Sequence, residues 1–356
     1  MIKSAQFQNF RGFTNLQMDD LCPITLISGM NNVGKSSVLD GIFLFFDHIA
    51  PESFVKLNNF RGLPSLTDPR HLWEPIFHDL DTQKEVKILL SIDGTISVLQ
   101  YSRDDAYVVP ENADVPRDVL NQFLSSSKSS YTLKFQYTGG AYSETGHFVA
   151  NQSGLLRNMD TSEEGNRILP LPFIQFINIP IIHAHTDFVA WIGDMELRGK
   201  KEELIENLKL IEPSISDITT IMTNGGAQIY IKVNGRLIPL KLAGDGLNKW
   251  LFILLSIMAH PDSTLLIDEI ETGIHYSAYA EMWKSIAVIT QKYHCQIIAT
   301  THSYECILSA TDGLEKANMA DDFCYFRIDR NVEKTVAHRY SSKLLRTALD
   351  TNLEVR

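Results

Sequence analysis

The chain has 356 residues, 44% hydrophobic and 21% charged, which is the balance of a folded globular protein rather than a disordered one. No apolar run approaches the roughly 18 residues a bilayer span needs, and no basic stretch leading into an apolar core opens the chain; a cytoplasmic protein with no membrane contact is expected. The net charge of −11, from 32 basic and 43 acidic residues, works against coating a polyanion such as DNA.

In chain order, the first clear element is the apolar run Pro23-Ile24-Thr25-Leu26-Ile27-Ser28, which reads as a buried strand. Gly29-Met30-Asn31-Asn32-Val33-Gly34-Lys35-Ser36 follows it and matches Gly-x4-Gly-Lys-Ser/Thr. The positions in that pattern do different things. Glycines let backbone N–H groups close around phosphate oxygens, Lys35 reaches the β and γ oxygens, and Ser36 binds Mg2+. Apolar residues at 38, 39, 42, 43, 45 and 46 then predict a helix. A nucleoside triphosphate, with Mg2+, is the expected ligand.

Residues 84 to 150 alternate apolar and polar in short runs, Val86–Ile92, Thr95–Leu99 and Tyr131–Phe135, separated by Asp93-Gly94 and Gly139-Gly140, which predicts antiparallel strands. His183, His185 and Asp187 would project to one side of an extended segment, but a further ligand cannot be assigned. Leu197, Leu204, Ile205, Leu208 and Ile211 predict a short helical hairpin near 197–220. No long heptad run occurs, which excludes an extended coiled coil.

Leu242-Ala243-Gly244-Asp245-Gly246-Leu247-Asn248-Lys249-Trp250 is a glycine-rich turn opening a helix that continues to about Ala259. Such a helix start presents N–H groups and a positive dipole end to an anion. Ser263-Thr264-Leu265-Leu266-Ile267-Asp268-Glu269 is an apolar strand ending in two acids. Asp268 is placed for the metal shell, and Glu269 for the attacking water as general base. Cys295-Gln296-Ile297-Ile298-Ala299-Thr300-Thr301-His302-Ser303 is a further strand, with His302 at the carboxyl end, where open α/β sheets collect ligand groups. Asp268 lies 233 residues beyond Lys35, so a large insertion separates two halves of one nucleotide site. The basic residues of Arg198-Gly199-Lys200-Lys201, with Lys343, Arg346 and Arg356, read as solvated helix faces. The four cysteines, Cys22, Cys295, Cys306 and Cys324, have no metal-ligand spacing and imply no disulfide framework.

Taken together, GMNNVGKSS, LAGDGLNKW, LLIDEIETGIH and IIATTHS resemble the ATP-binding-cassette type of ATPase, and more closely the single-chain prokaryotic AAA-type ATPases of the OLD and RecF/SMC branch. The opening, with its NFRGF phrase, and the ending Asn352–Arg356 are similar to that branch as well. The resemblance implies an α/β fold, an ABC-type P-loop NTPase head with an antiparallel β lobe and an inserted β-rich plus helical region. It implies four stretches: 1–50, the first part of the head; 51–195, an inserted, largely β region completing the lobe; 196–225, a helical segment; and 226–356, the second part of the head. By the same resemblance Gly29, Asn31, Asn32, Val33, Gly34, Lys35, Ser36 and Ser37 hold the nucleotide, Ser36 and Asp268 hold Mg2+, and Lys35, Glu269 and His302 act in hydrolysis. Gly244, Asp245 and Gly246 match the signature turn, which in this family acts on the nucleotide of the opposite subunit; AGDGLNK departs from the transporter form with serine and paired glycines, and Lys249 is this chain's own candidate to supply charge there. Gln175 is the candidate for the family's glutamine loop.

The resemblance implies an ATP-hydrolysing switch that forms a homodimer or higher homo-oligomer through shared sites. Only 54 residues follow His302, too few for a Toprim-type nuclease domain, so the effector it controls, a nuclease or toxin of an antiphage defence module, would be a separate protein. A RecF-like repair ATPase binding DNA is the alternative, opposed by the acidic balance. A transporter ATPase subunit is opposed by the AGDGLNK turn and by the wide motif spacing.

Overall fold

The computed structural model describes residues 1–62, 69–110, 131–151, 154–160, 171–177, 187–224, 226–331, 334–351 and 353–356. They gather into two units interleaved in sequence: one of Met1–Leu21, Asn31–Leu171 and Ile328–Ala337, the other of Cys22–Met30, Pro172–Arg327 and His338–Arg356.

The first unit is built on a seven-stranded antiparallel sheet of β1 (Ile2–Phe10), β2 (Phe13–Met18), β4 (Val86–Ile92), β5 (Thr95–Arg103), β6 (Tyr131–Gly139), β7 (Tyr142–Asn151) and β8 (Gly154–Met159), in the order β2-β1-β4-β5-β6-β7-β8. The β4–β5 hairpin turns through Asp93 (φ +48°) and Gly94 (φ +83°), the pair of left-handed residues a two-residue hairpin of matching twist requires. Helix α1 (Lys35–Phe46) is buried nearly all round. It lies close on β1 because Gly41 has no side chain: a Cβ there would stand 2.5 Å from a Phe7 ring carbon. Two further short helices, α2 (Glu52–Phe60) and α3 (Arg70–Trp73), complete this part of the unit.

The NFRGF phrase is the turn between β1 and β2, and it serves α1. Phe7 packs against Phe10 and Phe13 with ring centroids 6.0 Å apart in both pairs. Arg11, in the left-handed region at φ +48°, sends its guanidinium 2.6 Å from the carboxylate of Asp40 on α1, and Arg61 approaches the same oxygen at 2.7 Å. Asp40 is fully buried and Arg11 nearly so, so each neutralises a charge the other could not leave in the interior alone.

The second unit carries a six-stranded sheet in the order β16-β15-β3-β14-β13-β9. Its strands are β3 (Ile24–Gly29), β9 (Ile174–Ile177), β13 (Thr264–Ile267), β14 (Gln296–Thr300), β15 (Phe323–Arg330) and β16 (Thr335–Ser341). β3, β14, β13 and β9 are all parallel, and their near-continuous apolar sequences are those of strands covered on both faces. Helices α4 (Asp187–Leu197) and α5 (Lys201–Leu208) precede a three-stranded antiparallel sheet of β10 (Ile215–Thr223), β11 (Gly226–Val233) and β12 (Arg236–Pro239). The helical hairpin therefore begins and ends earlier than its apolar spacing predicts. From Ile215 the β-branched run ISDITTIMT favours a strand, whose Ile215 and Ile218 are buried against the helices. Helix α6 (Asp245–Ala259), buried from Gly246 to Met258, packs on α4, α5 and α7 (Tyr279–Lys292). An all-round apolar helix of this kind is a core element. After β14 come α8 (Tyr304–Lys316), β15, β16 and α9 (Ser342–Asp350). Among the described residues no helix is long and apolar enough to cross a membrane, and all four cysteines are free and buried.

Removing Asp40 strands a buried guanidinium. Asp40→Ala should lower the unfolding free energy by about 3 kcal/mol, measured by urea titration, whereas Lys56→Ala, whose charge is exposed and 3.7 Å from Asp47, should change it by less than about 1 kcal/mol.

Candidate active site at the carboxyl ends of the parallel strands

Register decides what meets at the sheet edge. Ile267 of β13 pairs with Ala299 of β14, and Thr300 of β14 pairs with Ile27 of β3. Asp268-Glu269, Thr300-Thr301-His302 and Ser28-Gly29 therefore leave the sheet side by side at its carboxyl end. The backbone confirms the level: Thr301 N–H donates to Ile27 O at 2.9 Å, and Ile270 N–H to Thr300 O at 3.0 Å.

Thr300 joins the two acidic residues. Its hydroxyl donates to Asp268 Oδ1 at 2.6 Å and accepts from the Glu269 N–H at 2.8 Å. Glu269 sits at φ +47°, a left-handed conformation that costs a side-chain-bearing residue about 1 kcal/mol or more. Its carboxylate is half exposed, 3.5 Å from His302 Nε2 through Oε1 and 3.2 Å from Thr272 Oγ1 through Oε2. A carboxylate, a neighbouring imidazole and open solvent are the elements needed to orient a water and accept its proton. His302 is held through its main chain, its N–H donating to Glu271 Oε1 at 2.7 Å. The other oxygen of Glu271 is buried without a hydrogen-bond partner.

Lys249 lies inward, not toward a partner's phosphate as the sequence suggested. It is completely buried on α6, and its ammonium donates to the main-chain oxygens of Asp268, at 3.0 Å, and Glu269. Burial pushes this ammonium down to about 8, against the pull of the carboxylates of Glu271, Asp268 and Glu269. The residue occupies the first helical turns, where the exposed turn and the buried helix meet, so its chain reaches the strand ends and not solvent. The signature-like turn itself is open. Gly244, at φ +81°, precedes α6, and a Cβ there would meet nothing within 4 Å. Gly244 and Asp245 are exposed, whereas Gly246 is buried against Gly273: a Cβ on Gly246 would fall 2.0 Å from Gly273 O.

The phosphate-loop residues divide between the units. Gly29 ends β3 in the second, while Asn31, Asn32, Val33, Gly34, Lys35, Ser36 and Ser37 belong to the first. Gly29 (φ +143°), Asn32 (φ +63°) and Gly34 (φ +104°) all take positive φ, a backbone region that glycine and asparagine enter most readily. Gly34 is also confined, since a Cβ would lie 2.4 Å from the Phe13 ring. α1 starts at Lys35 with no acidic residue in its first turn, so its positive end is left available to phosphate.

Gln175 lies within the edge strand β9, opposite Leu265 of β13, and its side-chain amide donates to Phe176 O at 3.4 Å. His183 and His185 lie outside the described residues, as does the side chain of Asp187. Among the described residues no group of three or more His, Cys, Asp and Glu is placed to hold a metal ion.

The model of one family, the AAA ATPase domain, matches residues 1–166 and 190–307. The chain belongs to that family. This AAA ATPase binds and hydrolyses ATP. It is 25% identical over 96% of its length, and over 95% of the relative's, to a Helicobacter pylori protein described as an ATP/GTP phosphatase. A 54-residue stretch is 41% identical to an uncharacterized protein of Methanocaldococcus jannaschii, covering 15% of this chain and 24% of that one. Among solved structures it is similar to an SMC head domain bound to the C-terminal domain of ScpA, derived from Pyrococcus furiosus, at 10% identity, 99% of each chain and a TM-score of 0.49.

Thr300, Glu271 and Lys249 are the residues of this AAA ATPase whose roles the motif pattern does not announce. A threonine at a strand end and a third acid in IDEIET look ordinary, and only a lysine entering an otherwise apolar helix hints at a buried partner. Thr300→Val keeps the shape but strands the Glu269 N–H and loosens Asp268. The lost charge-assisted bond should lower kcat for ATP by roughly tenfold or more, read by steady-state phosphate release.

Proposed function

We propose that this AAA ATPase is a nucleotide-driven switch: two copies close around shared ATP and open on hydrolysis, and the closed form engages a separate effector. The observation that carries this reading is the meeting of Asp268, Glu269 and His302 at one sheet edge, on the strand neighbours of β3, whose end opens the phosphate loop. In it Gly29, Asn31, Asn32, Val33, Gly34, Lys35, Ser36 and Ser37 bind the triphosphate, and Ser36 and Asp268 hold Mg2+, which when bound offsets phosphate charge. Glu269 orients the attacking water and accepts its proton, and His302 reports on the γ-phosphate beside it.

The shared-site part is supported by the exposure of Gly244 and Asp245 at the start of the 15-residue helix α6, beside exposed Leu242. Use of GTP as well as ATP is supported by the name of the Helicobacter pylori relative. A nuclease or toxin of a prokaryotic defence module, within the OLD branch, is the effector class we infer from the motif resemblance. Direct action on DNA is disfavoured by the charge of −11.

Lys35→Ala should abolish binding of a fluorescent ATP analogue, and retained binding would refute the phosphate-loop assignment. Glu269→Gln should still bind ATP, with kcat lowered by about 100-fold or more, and should accumulate as a dimer in light scattering only when ATP is present. An ATP-loaded monomer in that variant would end the shared-site model.

A further inference from the structure

Lys249 and the Gly246–Gly273 contact join two stretches that the proposed mechanism treats separately. Gly244 and Asp245 lie on the exposed turn ahead of α6, and Glu269 lies past the end of β13, yet one turn of helix separates the first from residues that grip the second. Gly246 rests on Gly273 so closely that neither position tolerates a side chain: a Cβ on Gly273, itself at φ +81°, would lie 2.8 Å from Gly246 N. One turn on, Lys249 holds the carbonyls of Asp268 and Glu269. The Glu269 peptide is thereby gripped on both sides, its N–H by Thr300 of β14 and its C=O by Lys249 of α6.

We infer that Lys249 is a positioning residue that makes α6 and the segment 268–273 one mechanical piece, so that engagement of the signature turn by a partner's nucleotide sets the backbone of Glu269 in the same protomer. Packed interiors pass on such shifts because they have no slack. A displacement of the α6 N-terminus carries the ammonium with it, and the two carbonyls follow or lose their donor. The regulation acts on the site described above and rests on the shared-site reading.

The test compares wild type, Lys249→Met, Lys249→Arg and Gly273→Ala, all full-length, by amide hydrogen exchange with and without a non-hydrolysable ATP analogue and by ATPase kinetics. In wild type the analogue should protect both 243–250 and 268–275, increasingly so at higher protein concentration. Lys249→Met should keep protection at 243–250 and lose it at 268–275, with kcat down roughly tenfold and KM within about threefold. Lys249→Arg, which keeps the donors, should recover part of both. Gly273→Ala breaks the same linkage with Lys249 intact and should show the same split, which keeps the proposal testable if Lys249→Met does not fold. Protection of both segments in Lys249→Met or Gly273→Ala, with unchanged kcat, overturns the coupling and leaves the shared site standing. A wild type without concentration-dependent protection at 243–250 overturns the shared site, and the coupling with it.

Discussion

Parallel strands have no freedom to end where they like once their register is set, and here β13, β14 and β3 pair so that Ile267, Ala299 and Leu26 lie at one level. Beyond the last paired residues the main-chain groups must find hydrogen bonds among side chains, loops and neighbouring strand ends. Asp268 and Glu269 find them on Thr300 and Lys249. The acidic pair is thus part of the solution to a main-chain problem as well as a pair of functional groups, and the left-handed turn at Glu269 is what lets its carboxylate face solvent while its peptide stays tied down.

The first unit meets a different demand. Helix α1 carries no acidic residue in its first turn. Its one acid, Asp40, lies in the second turn, is fully buried, and is neutralised by Arg11 and Arg61. The same β1–β2 turn that supplies Arg11 also supplies Phe13 against Gly34 and, just before it, Phe10 beside Phe7. One aromatic turn therefore fixes both the flank of the helix and the last glycine of the phosphate loop, which is the physical content of the NFRGF phrase.

Elements with a strong local pattern were legible in the sequence. The apolar strand before Gly29, the helix after Lys35 and the hairpin at Asp93-Gly94 follow from periodicity and turn chemistry, and the ordering of β13 and β14 ends follows from apolar runs terminated by polar residues. What periodicity could not reveal is which elements share a sheet. β9 joins the edge beside β13 although its four residues carry no distinguishing pattern, and β10 begins where apolar spacing still suited a helix. The direction of Lys249 was hidden for a related reason. A charged residue near a glycine-rich turn suggests exposure, and only the packing of α6 on every side shows that the ammonium has nowhere to point but inward.

That inward ammonium is expensive. Taking a lysine from water costs several kcal/mol even after relaxation, and the depressed pKa of about 8 records the cost. An apolar residue of similar length would avoid that cost. It could not, however, bond two adjacent carbonyls. The two carbonyls share the Lys249 ammonium as donor, and Glu269 between them is left-handed at φ +47°. The lysine and the left-handed glutamate are thus tied by two hydrogen bonds, and the Gly246–Gly273 contact, one turn earlier on α6, packs the same two segments together where no side chain would fit between them.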